Sequence, residues 1–127
     1  VHGAASVLGS IKPIPHGVVC GTLLGIATEM IIEKLNMSSE NGNKESLIKF
    51  SEAGDALTGT HHTNTEEGCN NLINTLNTWV DKYGISRLKE YGFSKNDLIN
   101  SSKLTGLKNT PCALDPEDIL RIFLARL

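Results

Sequence analysis

A long apolar segment near the start of the chain most constrains its fold. Residues 18–32 contain one charged side chain, Glu29. A run of this length with no alternation of polar and apolar residues predicts a helix that is buried on most of its surface. Pro13 and Pro15 precede it and favour extended backbone in their neighbours, so the chain can double back before the helix begins. The segment is too short and too polar for a membrane span, and we predict a core helix.

The strongest amphipathic pattern lies in the middle of the chain. Thr63 and Glu66 have the spacing of a capping box, which marks a helix start. Apolar residues then recur every three or four positions and lie on one stripe of a helix. They are Cys69, Leu72, Ile73, Leu76, Trp79, Val80 and Tyr83. The pattern predicts a helix that packs this stripe into the core.

Two later helices have clear start signals. Ser94 is a predicted N-cap with Asp97 three residues on, which completes a capping box. Asp115 is the predicted N-cap of the last helix, with Pro116 at its first position. The acidic residues at this start, Asp115, Glu117 and Asp118, are better explained by the positive end of the helix dipole than by acid catalysis.

The remaining patterns are helical too, with almost no alternation typical of strands. We predict a weaker amphipathic helix over residues 44–57 and one short helical turn over residues 86–91. We therefore predict one all-α domain over residues 1–127, a bundle of five or six helices. Its core is expected to come from the long apolar helix, the stripe of residues 69–83 and the last helix.

Composition narrows the class of protein. The chain has 12 basic and 14 acidic residues and a formal net charge of −2. The basic residues are scattered, which argues against a nucleic-acid partner. No basic stretch followed by an apolar core and a cleavage site indicates a signal peptide, so we expect a cytoplasmic protein without a membrane partner.

The three cysteines, Cys20, Cys69 and Cys112, are widely spaced and odd in number. This spacing matches neither a CxxC metal motif nor a disulfide framework, so reduced thiols are expected. We expect Asp115 to disfavour the thiolate of Cys112. The adjacent His61 and His62 are read as part of a solvated loop, because neighbouring histidines chelate poorly without further ligands.

His2 and His16 are the candidate metal ligands. His16 stands at the predicted start of the long helix, where the helix dipole favours the neutral imidazole that a divalent ion needs. The chain reversal between them can bring the two rings together. The alternative is a chain-terminal histidine and a helix-start histidine without a common function, because a metal site usually has three or four protein ligands.

The segment around these histidines resembles a signature of the iron-containing, group III alcohol dehydrogenases. The similar residues are Val1-His2-Gly3, Leu8-Gly9 and Pro15-His16-Gly17, followed by the long apolar helix. Asn109-Thr110-Pro111 and the capped last helix resemble the end of the same family. The resemblance implies that His2 and His16 bind a catalytic iron, or sometimes zinc, in the C-terminal domain of a two-domain dehydrogenase.

Two features depart from the family pattern. The family supplies an aspartate and a further histidine to the same metal from a helix that would precede Val1, so half of the site is expected to lie outside these residues. Ser6 stands where the family often has a histidine that relays protons. A lone hydroxyl is a poor base near neutral pH, and Ser6 is expected only to orient substrate or water, weakly.

The implied function is that of a fragment of an NAD(P)-dependent alcohol dehydrogenase, which interconverts a small alcohol and an aldehyde or ketone by hydride transfer. The chain has no glycine-rich nucleotide motif, since Gly17, Gly21 and Gly25 fall within a helix and suit close helix packing. The nucleotide is therefore expected on an N-terminal domain that these residues do not include, and the fragment alone is expected to be inactive. A glycerol-dehydrogenase-like or dehydroquinate-synthase-like enzyme and a non-enzymatic helical interaction module stay open as alternatives.

Overall fold

The computed structural model describes residues 1–37, 41–61 and 63–127. These residues form six α-helices and one 3-10 turn, with no strand among them. The helices are α1 (His2–Ile11), α2 (His16–Met37), α3 (Asn41–Thr58), α4 (Thr65–Lys82), α5 (Lys95–Leu104) and α6 (Pro116–Leu124), and the 3-10 turn is Leu88–Tyr91. The all-α prediction is confirmed, and α3 is longer than the helix predicted over residues 44–57. None of the described helices is long and apolar enough to cross a membrane.

The short connection between α1 and α2 brings the two helix starts together. Helix α1 has ten residues and is therefore about 15 Å long. Lys12 is extended, with φ −132° and ψ 152°, and the linker with its two prolines returns over about the same length. The buried side chain of Ile14 anchors this linker. His16 begins α2 beside His2, which begins α1.

The largest apolar cluster joins α1, α2, the 3-10 turn, α5 and α6. Leu8, Leu23, Leu88 and Leu98 are fully buried within it, and Phe123 of α6 is 1% exposed. The predicted contributions of α2 and α6 are confirmed. The sequence did not predict that α1 and α5 also supply this cluster.

Helix α4 packs against α3 and α2, outside that cluster. The buried members of its stripe are Cys69, Leu72, Leu76 and Val80. The prediction was wrong for Trp79 and Tyr83, which are 39% and 67% exposed. Trp79 lies at the edge of the stripe, about 80° around the helix from Cys69, and Tyr83 follows the last helical residue. The residues along the centre line of the stripe are therefore buried, whereas Trp79 at its edge and Tyr83 beyond the helix end are exposed.

The helix starts follow the local hydrogen-bond chemistry. Ser94 and Asp97 form the predicted capping box of α5, and Asp115 accepts from the backbone N–H groups of Glu117 and Asp118 at 2.8 and 2.9 Å. The capping box predicted from Thr63 and Glu66 was wrong by one position, because Asn64 is the N-cap and accepts from Glu67 N at 2.8 Å.

Close helix packing depends on glycines. A Cβ on Gly25 would overlap the side chain of Asn77, and one on Gly21 would lie 3.2 Å from Ile85 Cδ1, whereas Gly17 faces open space. The packing role predicted for these glycines therefore holds for Gly21 and Gly25. The tightest crossing is between α3 and α4, where a Cβ on Gly54 would overlap the backbone carbonyl of Gly68.

Candidate metal-binding site

The two predicted ligands meet at the shared end of α1 and α2. Nδ1 of His2 lies 3.2 Å from Nε2 of His16. Their ring centroids are 4.9 Å apart and the ring planes are tilted by 57°. Both residues are exposed. The proximity expected from the chain reversal is confirmed, and the role of the two residues as metal ligands stays a prediction.

The separation of the nitrogens suits two ligands of one ion. Nitrogens that each lie about 2.1 Å from a metal are about 3.0 to 3.4 Å apart when they subtend an octahedral or a tetrahedral angle. The 3.2 Å between Nδ1 of His2 and Nε2 of His16 falls in that range, and in the absence of an ion the same distance is that of a hydrogen bond between the two rings. Neutral imidazole nitrogens are suitable donors for iron and zinc, so this donor pair fits part of such a site. Among the described residues, no group of three histidine, cysteine or acidic side chains could hold an ion.

A surface pocket of about 440 Å³ opens beside His2. Ser6 lines it one helical turn after His2, and its hydroxyl donates to the carbonyl oxygen of His2 at 3.3 Å. This bond leaves the lone pairs of the Ser6 oxygen available to a donor in the pocket. The expected role of Ser6 in orienting substrate or water stays a prediction.

The opposite wall of this pocket is the connection between α5 and α6. It contributes Gly106, Leu107, Lys108 and Thr110. A Cβ on Gly3 would overlap the carbonyl of Gly106, so the connection lies directly on the first turn of α1. The position of these residues beside the histidine pair was not predicted, because no local sequence pattern connects positions about a hundred residues apart. The one sequence signal for this connection was the resemblance of Asn109-Thr110-Pro111 to the end of the dehydrogenase family. Asn109 adopts a left-handed backbone conformation, with a φ of 55°.

The other candidate residues lie apart from this site. His61 is exposed and lines a separate pocket with Glu52 and Asp55, and the prediction for His62 falls outside the described residues. The described cysteines form no disulfide.

Cys112 lies within the α5–α6 connection, and its thiol is 3.9 Å from the carbonyl oxygen of Ile31. Burial raises the pKa of this thiol, and the negative charge of Asp118 raises it further. The expectation that a nearby carboxylate disfavours the thiolate of Cys112 is therefore confirmed. The carboxylate that raises the pKa is Asp118 and not Asp115.

The all-helical fold of this chain is similar to part of a solved enzyme structure. The chain is similar to the crystal structure of a 1,3-propanediol oxidoreductase, with a TM-score of 0.75 and 20% sequence identity. The match covers 99% of this chain and 32% of the oxidoreductase, so the chain spans about a third of that protein. No family model matches the sequence, and the search of curated proteins finds no match. The comparison therefore shows that this chain shares its fold with about a third of that oxidoreductase.

Proposed function

We propose that this chain is the metal- and substrate-binding part of an NAD(P)-dependent alcohol dehydrogenase. The parent enzyme would interconvert a small alcohol and an aldehyde or ketone by hydride transfer in the cytoplasm. The 3.2 Å approach of His2 Nδ1 and His16 Nε2 carries the proposal, and the fold shared with a third of a 1,3-propanediol oxidoreductase supports it. A separate N-terminal domain would bind NAD or NADP.

The two histidines would hold iron, or zinc, together with ligands from that N-terminal domain. The ion would supply Lewis-acid polarisation of the substrate oxygen. His2 and His16 are the first residues of α1 and α2. The packing of these two helices against each other therefore fixes the backbone positions from which the two imidazole rings extend. Ser6 would accept a hydrogen bond from substrate or water, and the Gly106–Thr110 wall would exclude solvent on the opposite side.

Two neutral ligands leave an ion underliganded and its charge uncompensated. We therefore expect the isolated chain to bind Zn²⁺ or Fe²⁺ weakly and to lack dehydrogenase activity. Isothermal titration calorimetry on the chain and on His2→Ala, His16→Ala and His61→Ala tests the site. The first two variants are expected to lose the weak binding, whereas His61→Ala, which removes an exposed histidine of another pocket, is expected to keep it. Binding that survives His2→Ala and His16→Ala would refute the proposed ligands.

A further inference from the structure

The pocket beside His2 has a positive wall. Lys108 lines it, and among the described lining residues there is no aspartate, glutamate or arginine. The whole chain has 14 acidic residues and a net charge of −2, so an acid-free pocket does not follow from its composition. The other lining residues have neutral side chains, namely Val1, Gly3, Ser6, Val7, Gly106, Leu107 and Thr110. The pocket therefore favours a ligand that carries negative charge.

Two donors of the α5–α6 connection are free to bind such a ligand. Lys108 is exposed, and the salt bridges among the described residues use other cations, Lys34, Lys49 and Arg121. Thr110 is half-buried, and its hydroxyl has no hydrogen-bond partner in the described part of the chain. The ammonium of Lys108 only donates, and the hydroxyl of Thr110 can also donate. The wall across from the histidines thus offers a positive charge and a second hydrogen-bond donor.

A carboxylate suits these two donors. It has two acceptor oxygens, so one oxygen can pair with the ammonium of Lys108 while the other accepts from the Thr110 hydroxyl. Hydrogen bonds to a charged partner are roughly twice as strong as those between neutral groups. The pocket volume of about 440 Å³ lies within the range of about 300 to 1,000 Å³ that small-molecule sites have. Because His2 and Lys108 line the same pocket, one small molecule can contact both of them.

We propose that this pocket binds a small hydroxy acid or its oxo form, with the reacting oxygen at His2 and His16 and the carboxylate at Lys108. The inference rests on the proposed function for the position of the reacting oxygen, and it narrows the substrate class to alcohols that carry a negative charge. In the oxidation, the carbon that bears the hydroxyl gives a hydride to NAD(P)⁺ and the hydroxyl gives its proton to solvent. The carboxylate is unchanged and orients the substrate, which makes Lys108 a specificity-determining residue.

Carboxylate binding can be measured on the full chain without any metal. The probes are 4-hydroxybutyrate and 1,4-butanediol, which share a carbon chain and one hydroxyl and differ in the end group. Each titration is followed by backbone amide chemical shifts. We expect 4-hydroxybutyrate to bind about fivefold more tightly than the diol, as one exposed ion pair allows. The shifts should lie at the start of α1 and at residues 106–110. Equal affinities, or shifts elsewhere, would overturn the proposal.

Three variants test the role of the lysine. Lys108→Met removes the charge, keeps most of the aliphatic stem and should make the two probes bind equally. Lys108→Arg keeps the charge and should retain the preference for 4-hydroxybutyrate. The control is Lys103→Met, which removes an exposed lysine of α5 that does not line the pocket and should leave the preference unchanged. A preference that survives Lys108→Met, or disappears in Lys103→Met, would overturn the proposal.

A nucleotide phosphate is the other anion with the same chemistry, and adenosine 2′,5′-bisphosphate is the probe for it. The proposed function places the nucleotide on the N-terminal domain. We therefore expect Lys108→Met to weaken the bisphosphate by less than about twofold and 4-hydroxybutyrate by about fivefold. The reverse order would assign Lys108 to the cofactor and overturn the hydroxy-acid site. The metal titration is a separate test, because metal binding that survives His16→Ala would refute the proposed function without changing the effect of Lys108→Met.

Discussion

Arg126 Nε donates to Thr22 Oγ1 at 2.9 Å, although the two residues are separated by 104 positions. The same guanidinium donates to the carbonyl oxygen of Ile85 at 3.1 Å. Both Arg126 and Thr22 are buried, at 8% and 1% exposure. This bond connects Arg126, which follows α6, to the second turn of α2.

Replacement of Arg126 should lower the free energy of unfolding. Arg126→Met keeps most of the aliphatic stem and leaves the Thr22 hydroxyl and the Ile85 carbonyl without their donor. Hydrogen bonds from a charged group contribute about 1.5 to 3 kcal/mol, so we expect a loss of about 2 to 3 kcal/mol in the free energy of unfolding. Urea denaturation measures it. The control is Arg121→Met, whose side chain is 57% exposed and lies 3.8 Å from Glu33. The free energy of unfolding of that variant should fall by less than about 1 kcal/mol. Equal losses in the two variants would contradict the stabilising role of the Arg126 hydrogen bonds.

The crossing of α3 and α4 should tolerate no added methyl group. In Gly54→Ala the new Cβ meets the backbone carbonyl of Gly68, and overpacking of this kind costs about 1 to 3 kcal/mol. Gly42→Ala lies on the same helix and faces open space. It should be neutral or stabilise the chain by up to about 1 kcal/mol, because alanine favours helix more than glycine. Thermal unfolding compares the two, and a stable Gly54→Ala variant would disprove the tight crossing.

Stability should fall in acid because of two helix caps. The backbone N–H of Ser94 lowers the pKa of Asp97, and that of Asp118 lowers the pKa of Asp115. A carboxyl whose folded-state pKa lies below its ordinary value of 3.8 contributes stability that is present above that value. That contribution is lost as the pH falls through the lower, folded-state pKa. We therefore expect the urea midpoint to decline below about pH 5.

The control for this pH dependence is the double variant Asp97→Asn and Asp115→Asn. Asparagine retains a side-chain oxygen for capping and cannot ionise in this range. The urea midpoint of the double variant should depend less on pH between about 5 and 2 than that of the wild type. Parallel pH profiles for both proteins would show that other groups cause the acid sensitivity.

In the proposed parent enzyme, His16 and Ser6 should differ in their importance for turnover. His16→Ala is expected to remove most of the bound metal and most of the turnover, because the Lewis acid contributes several kcal/mol to the transition state. Ser6→Ala removes one hydroxyl and should reduce kcat/KM about tenfold or less, which corresponds to about 1 kcal/mol. Steady-state kinetics and metal analysis of both variants provide the comparison. An active His16→Ala enzyme with an inactive Ser6→Ala enzyme would indicate a metal-independent mechanism.

The sequence by itself determined the features that depend on near neighbours. A long apolar run identified α2, and apolar periodicity identified the buried centre of α4. Side-chain acceptors at the right spacing identified the starts of α5 and α6. These signals operate within one or two helical turns, where backbone hydrogen bonds and caps act. The meeting of His2 and His16 was also predictable, because only fourteen positions and two prolines separate them.

Only the tertiary structure decided how these helices share the core and what surrounds the histidines. Trp79 fits the apolar period of α4 and is still 39% exposed, because burial depends on the width of the surface that α2 and α3 present. The contact of Gly3 with Gly106 likewise joins positions 103 residues apart through backbone atoms. No side-chain pattern records such an approach, because Gly3 permits it by lacking a Cβ and Gly106 takes part through its backbone carbonyl.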